Sequence, residues 1–362
     1  MACEIEKWLI FHLFLLAECY MQCSCAHEKT RQVPCVYIFS DSFNDNGNNN
    51  NLETEAKANY NPYGIDFPTG STGRFTNGKT VIDFTVEFLG FKEFIPPFAN
   101  TSGSDILLGV NYASGSGGIR HESSQQLGDR IPLGQQIKNH KTIVSKIAKK
   151  LGGAFEAKNY LKKCLYYVNI GSNDYLNNYF LPEIYPTSRI YNPEQYAEVL
   201  INQYSLDLKD LYITGARKFV LVGLGLLGCL PYINTVNGNN GSCIESYNAD
   251  ALIFSQKLKS LVDKFNAELH DSKSIFVNST AGPVQSTSDF TVTKAPCCPT
   301  MPDGMCIRDS IPCSNRDNYV FYDGIHPTSA YSYNTAAISY DSTSSPDTTY
   351  PTDIKRLVES KI

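Results

Sequence analysis

The chain of 362 residues has no basic block: 31 Lys and Arg are scattered among 36 Asp and Glu, for a net charge of −5. Phosphate recognition needs a concentrated positive face, so the composition argues against a nucleic-acid partner. Charged residues of either sign make up only 19% of the chain, and neutral polar residues fill the connecting stretches. Past the N-terminus no apolar run approaches the ~20 residues that cross a bilayer, which argues against stable membrane insertion. The one early run, residues 8–17, is too short to span and suits the core of a secretory signal peptide over residues 1–26, with cleavage near Cys25 or Ala26. The cysteines of the tail lack the paired C-x-x-C spacing of structural zinc sites, so no metal is expected there. No other cofactor is expected either. There is no internal repeat and no clear linker, so residues 27–362 read as one domain. Nothing in the sequence sets an oligomeric state.

What is present is a substantial core, with 42% hydrophobic and 12% aromatic residues. Of the 12 cysteines, Cys3, Cys19, Cys23 and Cys25 belong to the leader. The remaining Cys35, Cys164, Cys229, Cys243, Cys297, Cys298, Cys306 and Cys313 are even in number, as expected of disulfides in a secreted protein. Cys229 and Cys243 flank one Asn/Gly-rich loop and are expected to pair. Asn100, Asn240 and Asn278 head glycosylation triplets.

Short strand-like runs alternate with helical periodicity. Strands are expected at 36–39, 106–112, 165–170, 218–222 and 274–278. Helices are expected at 79–89, 133–151, 193–213 and 246–269, with two shorter ones in the tail, the last at 352–360. The cysteine-rich segment 295–318 reads as loop. In the second helix Ile137, Ile143, Val144, Ile147 and Leu151 face inward, and His140 is assigned to the lysine-rich surface. Such alternation predicts a parallel sheet with helices on both faces.

The stretch from Val36 to Gly47 is the focus. A four-residue apolar strand stops at a polar turn, Ser40-Asp41-Ser42, at the carboxyl edge where ligands of open α/β sheets bind. The polar loop that follows, to about residue 75, is either an active-site surround or a solvated insertion. At the far end, Asp323-Gly324-Ile325-His326-Pro327 sets a carboxylate and an imidazole three residues apart. Other histidines offer less: His12 lies in the leader, His140 and His270 read as surface, and His121 is a weak candidate. Ser42, His326 and Asp323 together have the parts of a hydrolytic nucleophile system. Gly223 to Gly228 has the G-x-G-x-x-G spacing, but Pro231 stands where a helix should begin and no acidic second strand follows. A tight loop held by Cys229 is the better reading.

Six stretches resemble the plant GDSL esterase/lipase family, within the SGNH hydrolases. They are Phe39 to Asn50, Gly73 to Gly78, Gly109 to Gly115, Asn169 to Asp174, Gly225 to Pro231 and Phe321 to Thr328. They run in family order over nearly the whole mature chain. The resemblance implies a flavodoxin-like three-layer α/β/α sandwich with a central parallel sheet of about five strands. It implies ester hydrolysis of a small-molecule or lipid substrate, with Ser42 as nucleophile, His326 as base and Asp323 orienting it. For the oxyanion it implies the amides of Ser42 and Gly115 and the side chain of Asn173. Acyl transfer by the same machinery, or an inactive binding protein on the same scaffold, are the alternatives. Three residues depart from the family pattern. Ser40 replaces the usual glycine and is expected to crowd the nucleophile turn; Phe43 replaces leucine, and Tyr322 stands where tryptophan is frequent.

Overall fold

The computed structural model describes residues 31–101, 103, 105–238, 241–281 and 290–361. The expected leader and Asn240 therefore lie outside the described residues. Five parallel strands form the main sheet: β1 (Val36–Ser40), β2 (Gly109–Asn111), β3 (Leu165–Asn169), β4 (Lys218–Val222) and β5 (Lys273–Val277). Two residues near the C-terminus, Thr349 and Tyr350, add an antiparallel edge strand to β5, giving the order 2-1-3-4-5 plus that edge. A separate two-stranded ladder joins Val292–Pro296 to Tyr319–Phe321 and brackets the cysteine-rich segment.

Strand alternation builds the layers. Tyr37, Phe39, Tyr166, Val168, Phe219 and Leu221 point to one face and pack with helices α2 (Leu133–Leu151), α4 (Pro193–Thr214) and α5 (Glu245–Glu268). Val36, Ile38, Leu165, Tyr167, Val220 and Val222 point to the other and meet α1 (Val81–Phe88) and the terminal helix α7 (Ile354–Glu359). Between these, α3 (Ala154–Leu161) follows α2 across a glycine pair, and α6 (Ser329–Tyr340) packs on α1 through Phe84, Phe88, Tyr333 and Tyr340. This is the expected α/β/α sandwich, with the antiparallel edge strand, α3 and short helices at Thr187–Ile190 and Pro231–Val236 added; Pro231 starts the latter at its first position, where a proline is tolerated.

Four disulfides join Cys35 to Cys164, Cys229 to Cys243, Cys297 to Cys313 and Cys298 to Cys306. The first staples the entries of neighbouring strands β1 and β3. The second closes the expected Asn/Gly-rich loop. The G-x-G-x-x-G stretch before it is a tight loop: a Cβ on Gly228 would lie 2.0 Å from the Ile244 carbonyl oxygen.

His140 is not on the surface. It belongs to the buried stripe Leu133, Gln136, Ile137, His140, Ile143 and Ile147, spaced by three and four as one helix face requires. Its ring sits among Tyr37, Phe39, Tyr112 and Tyr166, with one nitrogen 3.1 Å from the Tyr112 hydroxyl. Burial pushes its pKa down to about 3. The folded state thus keeps it neutral while the unfolded chain takes up a proton below its ordinary value of about 6.5. Its contribution is complete above that pH and is lost as pH falls toward 3, by about 1.4 kcal/mol per unit. His140→Gln keeps an acceptor for Tyr112 and lacks this titration. The stability difference between wild type and variant, from denaturant melts at several pH values, should therefore shrink by that slope below about pH 6.5. A difference independent of pH would contradict the assignment.

Candidate active site

The carboxyl ends of β2, β1 and β3 lie side by side, with Ser40 paired to Asn169 in the parallel register. From each end one polar loop leaves: Asp41 to Asn50, Ala113 to Ser124, and Gly171 to Tyr179. Into this edge the chain brings back the loop after Phe321. Ser42 Oγ lies 2.7 Å from His326 Nε2. His326 Nδ1 lies 2.8 and 3.0 Å from the two carboxylate oxygens of Asp323. All three residues are buried, Asp323 completely. The imidazole is held between the rings of Phe75 and Phe43, at centroid distances of 4.9 and 5.7 Å. Asp323 also accepts the backbone amides of Ile325 and His326, so one tight turn fixes both groups.

The nucleophile turn is braced on both sides. Ser40 exchanges two backbone hydrogen bonds with the Gln136 side chain, at 3.0 and 2.8 Å. Its hydroxyl donates to the Asn169 carbonyl at 2.7 Å and accepts from the Asn44 amide at 2.9 Å. The expected crowding does not occur: the added side chain occupies a polar slot and ties β1, β3 and the turn together. Tyr322 donates its phenol to the Pro62 carbonyl at 2.6 Å.

The asparagine-rich loop is a surround, not a solvated insertion. Asn44, Asn46, Asn48 and Asn49 are buried, and their side chains bond to backbone groups of four neighbouring segments, at Ile82, Ile95, Ala56 and 111–115. Asp45 is the hub that sequence reasoning missed. It accepts the amides of Gly47 and Asn48, both at 2.8 Å, and of Gly115 at 2.9 Å. Asp174 does the same on the other flank, accepting Ile119 N, Arg120 N and the Ser123 hydroxyl. A Cβ on Gly118 would lie 2.9 Å from both Asp174 Oδ1 and Ser123 Cβ, so a larger residue there would displace this carboxylate and its donors. Burial raises Asp45 and Asp174 to about 6 each and Asp41 to about 7. An Asx-turn signal, Asp two residues before Gly, could have flagged Asp45.

The expected oxyanion donors are distributed as follows. The amide N–H of Ser42 has no acceptor among the described residues. The Asn173 side chain donates to the Gly117 carbonyl at 3.0 Å and accepts from Asn177 at 2.7 Å, leaving its second amide proton uncommitted. Gly115 already gives its amide to Asp45. The next amide in the same turn, that of Ser116, has no acceptor among the described residues, and Ser116 holds a left-handed φ of 61°. Of the glycosylation candidates, Asn100 is exposed, while the Asn278 side chain is half-buried and bonded to Thr280.

A hydroxyl, an imidazole and a buried carboxylate aligned at the carboxyl edge of an α/β/α sandwich define the class of serine hydrolases. Sequence comparison narrows the class. The profile of the GDSL-like lipase/acylhydrolase family matches residues 36–336. GDSL esterase/lipase At1g29670 of Arabidopsis thaliana is 44% identical, over 98% of this chain and 99% of its own. GDSL esterase/lipase At4g18970 of the same plant is 46% identical, over 90% of this chain and 92% of its own. The chain belongs to the GDSL-like lipase/acylhydrolase family, and is a carboxylic ester hydrolase.

Proposed function

We propose that the protein cleaves lipid or other small acyl esters through an acyl-enzyme on Ser42. The observation that carries this is the continuous hydrogen-bonded chain from Ser42 through His326 to Asp323. With its proton on Nδ1, given to Asp323, the neutral ring leaves Nε2 free to accept the Ser42 hydroxyl proton. Ser42 Oγ attacks the ester carbonyl, and the carbonyl oxygen takes on negative charge. The intermediate collapses, and the leaving alcohol takes the proton back from Nε2. Water then repeats the sequence on the acyl-enzyme and releases the acid. Oxyanion donors are the Ser42 amide, the Asn173 side chain and one amide of the turn Ser114–Gly117. At that turn Gly115 would have to give up Asp45, whereas Ser116 has no bond to break. A half-open groove of about 620 Å³ has Ile184, Pro186 and Ile190 on one side and Arg120, Glu122 and Gln126 on the other, and none of Ser42, Asp323 and His326 lines it. Among the described residues no helix is long and apolar enough to cross a membrane.

Ser42→Ala should abolish hydrolysis and fluorophosphonate labelling while the melting temperature holds, since no acyl-enzyme can form. His326→Ala should be comparably damaging; Asp323→Asn should hurt equally or less, by removing orientation and charge support. Full turnover by Ser42→Ala would end the mechanism. In a crystal of the phosphonylated protein, the phosphoryl oxygen should meet the Ser42 amide, Asn173 and one amide of the 114–117 turn.

Asn173→Ala separates two roles. An oxyanion donor acts when charge develops, so kcat should drop roughly 10²–10³-fold with little change in KM. A residue that only shapes the turn would instead lower stability by about 1 kcal/mol and leave kcat alone. Kinetics and a thermal melt on the same preparation decide between them.

Secretion is supported by the leader pattern and the four disulfides. Peptide mapping of the protein from its native tissue should find an N-terminus near residue 26, the four bonds, and glycan at Asn100 before Asn278. Eight free thiols would contradict it.

A further inference from the structure

A third, smaller core lies beneath Asp323, built by loops and not by the sheet. It contains Tyr63, Phe75, Met305, Tyr322 and the disulfide Cys298–Cys306. Tyr63 is completely buried within it, and its hydroxyl donates to Asp323 Oδ2 at 2.6 Å. The same hydroxyl accepts the amide of Cys306 at 3.1 Å. A buried phenol needs partners, and here both of its strong ones have a directional effect. Because the Cys306 amide occupies an oxygen lone pair, the single phenolic proton is directed to the carboxylate. Its other hydrogen-bonding neighbours among the described residues are Met305 Sδ at 3.6 Å, a weak acceptor, and the phenol of Tyr60, which itself donates to the Cys306 carbonyl. The two oxygens of Asp323 are then held differently. Oδ1 is fixed by amides of its own turn, whereas Oδ2, the closer partner of His326 Nδ1, is held from outside that turn by Tyr63 alone among the described residues.

We propose that Tyr63 is a positioning residue: its phenol fixes the Asp323 carboxylate and thereby the His326 ring, and the Cys298–Cys306 loop fixes the phenol. The backbone around Tyr63 is correspondingly secured. The Tyr322 hydroxyl donates to the Pro62 carbonyl, the Ser71 hydroxyl to the Tyr63 carbonyl, and the Gly64 amide to Thr76. The inference rests on the reading of His326 as the base.

The physical consequence follows from the phenol's share of the carboxylate charge. Loss of that donor leaves Oδ2 more negative toward Nδ1, which favours the protonated imidazole. It also frees the carboxylate to rotate, so the ring is less well aimed at Ser42. Other titratable groups facing this pair are the carboxyl of Asp41, from the nucleophile turn, and the phenols of Tyr60 and Tyr322. Burial raises both phenols far out of the neutral range, so Asp41, raised to about 7 by burial, is the group whose titration must be separated.

Tyr63→Phe keeps the ring and removes only the hydroxyl. Its plateau kcat should fall about 3- to 30-fold with KM within about twofold. The acid limb of kcat/KM should move up by about half to one pH unit, and the same displacement should appear in an Asp41→Asn background. Replacing both Cys298 and Cys306 with Ser should change kcat and the acid limb in the same direction. Combined with Tyr63→Phe, its effect should be less than additive, because both act on one bond. Unchanged kcat and pH profile with only a lowered melting temperature would reduce Tyr63 to a packing role, and full additivity would remove the loop from the relay. Fluorophosphonate labelling distinguishes this failure from failure of the base itself. Ser42 should still label in Tyr63→Phe and should lose labelling in His326→Ala. Wild-type labelling in His326→Ala would overturn the base reading and this proposal with it.

Discussion

Four carboxylates, those of Asp41, Asp45, Asp174 and Asp323, are completely buried along one edge of the sheet. A charge away from water is costly unless several donors satisfy it, and this requirement organises the site. Each carboxylate collects amides from loops that have little apolar surface with which to pack. Asp45 binds its own loop to the Gly115 turn. Asp174 binds the segment 119–123 to the end of β3, and Asp323 binds the return loop to Tyr63. The loops that supply Ser42, Asn173 and His326 are thereby held to each other by directional bonds. Asp41 is the least satisfied of the four: one oxygen accepts the Phe43 amide, and the other has no partner among the described residues. That imbalance agrees with its pKa being the highest of the group for which burial raises it.

The sheet was legible because its signal is local. Alternating strand residues and three-four helical spacing are set within a dozen residues, and the expected strands and long helices match the observed ones within a few positions. The elements missed have weak local signals. The edge strand at Thr349 and Tyr350 is two residues long and is created by its neighbour β5. Helix α3 is short, and its buried side is only Ala157 and Leu161. His140 was misread because a polar residue on a buried stripe looks like a surface residue until the aromatic cage from four distant positions is assembled.

The site divides in the same way. His326 could be picked out because the chain has only 6 histidines, Ser42 by its place at the end of a strand, and Asp323 by standing three residues before that histidine. Tyr63 could not, being one of 23 tyrosines with nothing in its neighbours to mark it. Its importance lies in a contact 260 residues away. The cysteine-rich segment has a related explanation. It reads as loop because it has little periodicity, and it is mostly loop. Two crosslinks, from adjacent cysteines to Cys306 and Cys313, replace the missing secondary structure by limiting the unfolded chain and giving the small third core a fixed wall.

Ser40 shows why a departure from a family pattern must be weighed by its surroundings. The position is completely enclosed, so a side chain added to a glycine would ordinarily meet packed atoms. Here the enclosure is polar, with the Asn169 carbonyl on one side and the Asn44 amide on the other. A methyl group of similar reach would leave that amide without its acceptor, at a cost of about 1–3 kcal/mol. A hydroxyl satisfies both neighbours at once. Asn44 in turn accepts the Ile82 amide in the first turn of α1 and, through its carbonyl, the side chain of Asn111 at the end of β2. The extra oxygen therefore links three strand ends and a helix start two residues before the nucleophile. Ser40 thus ties the nucleophile turn to β3 through Asn169 and to the asparagine loop through Asn44.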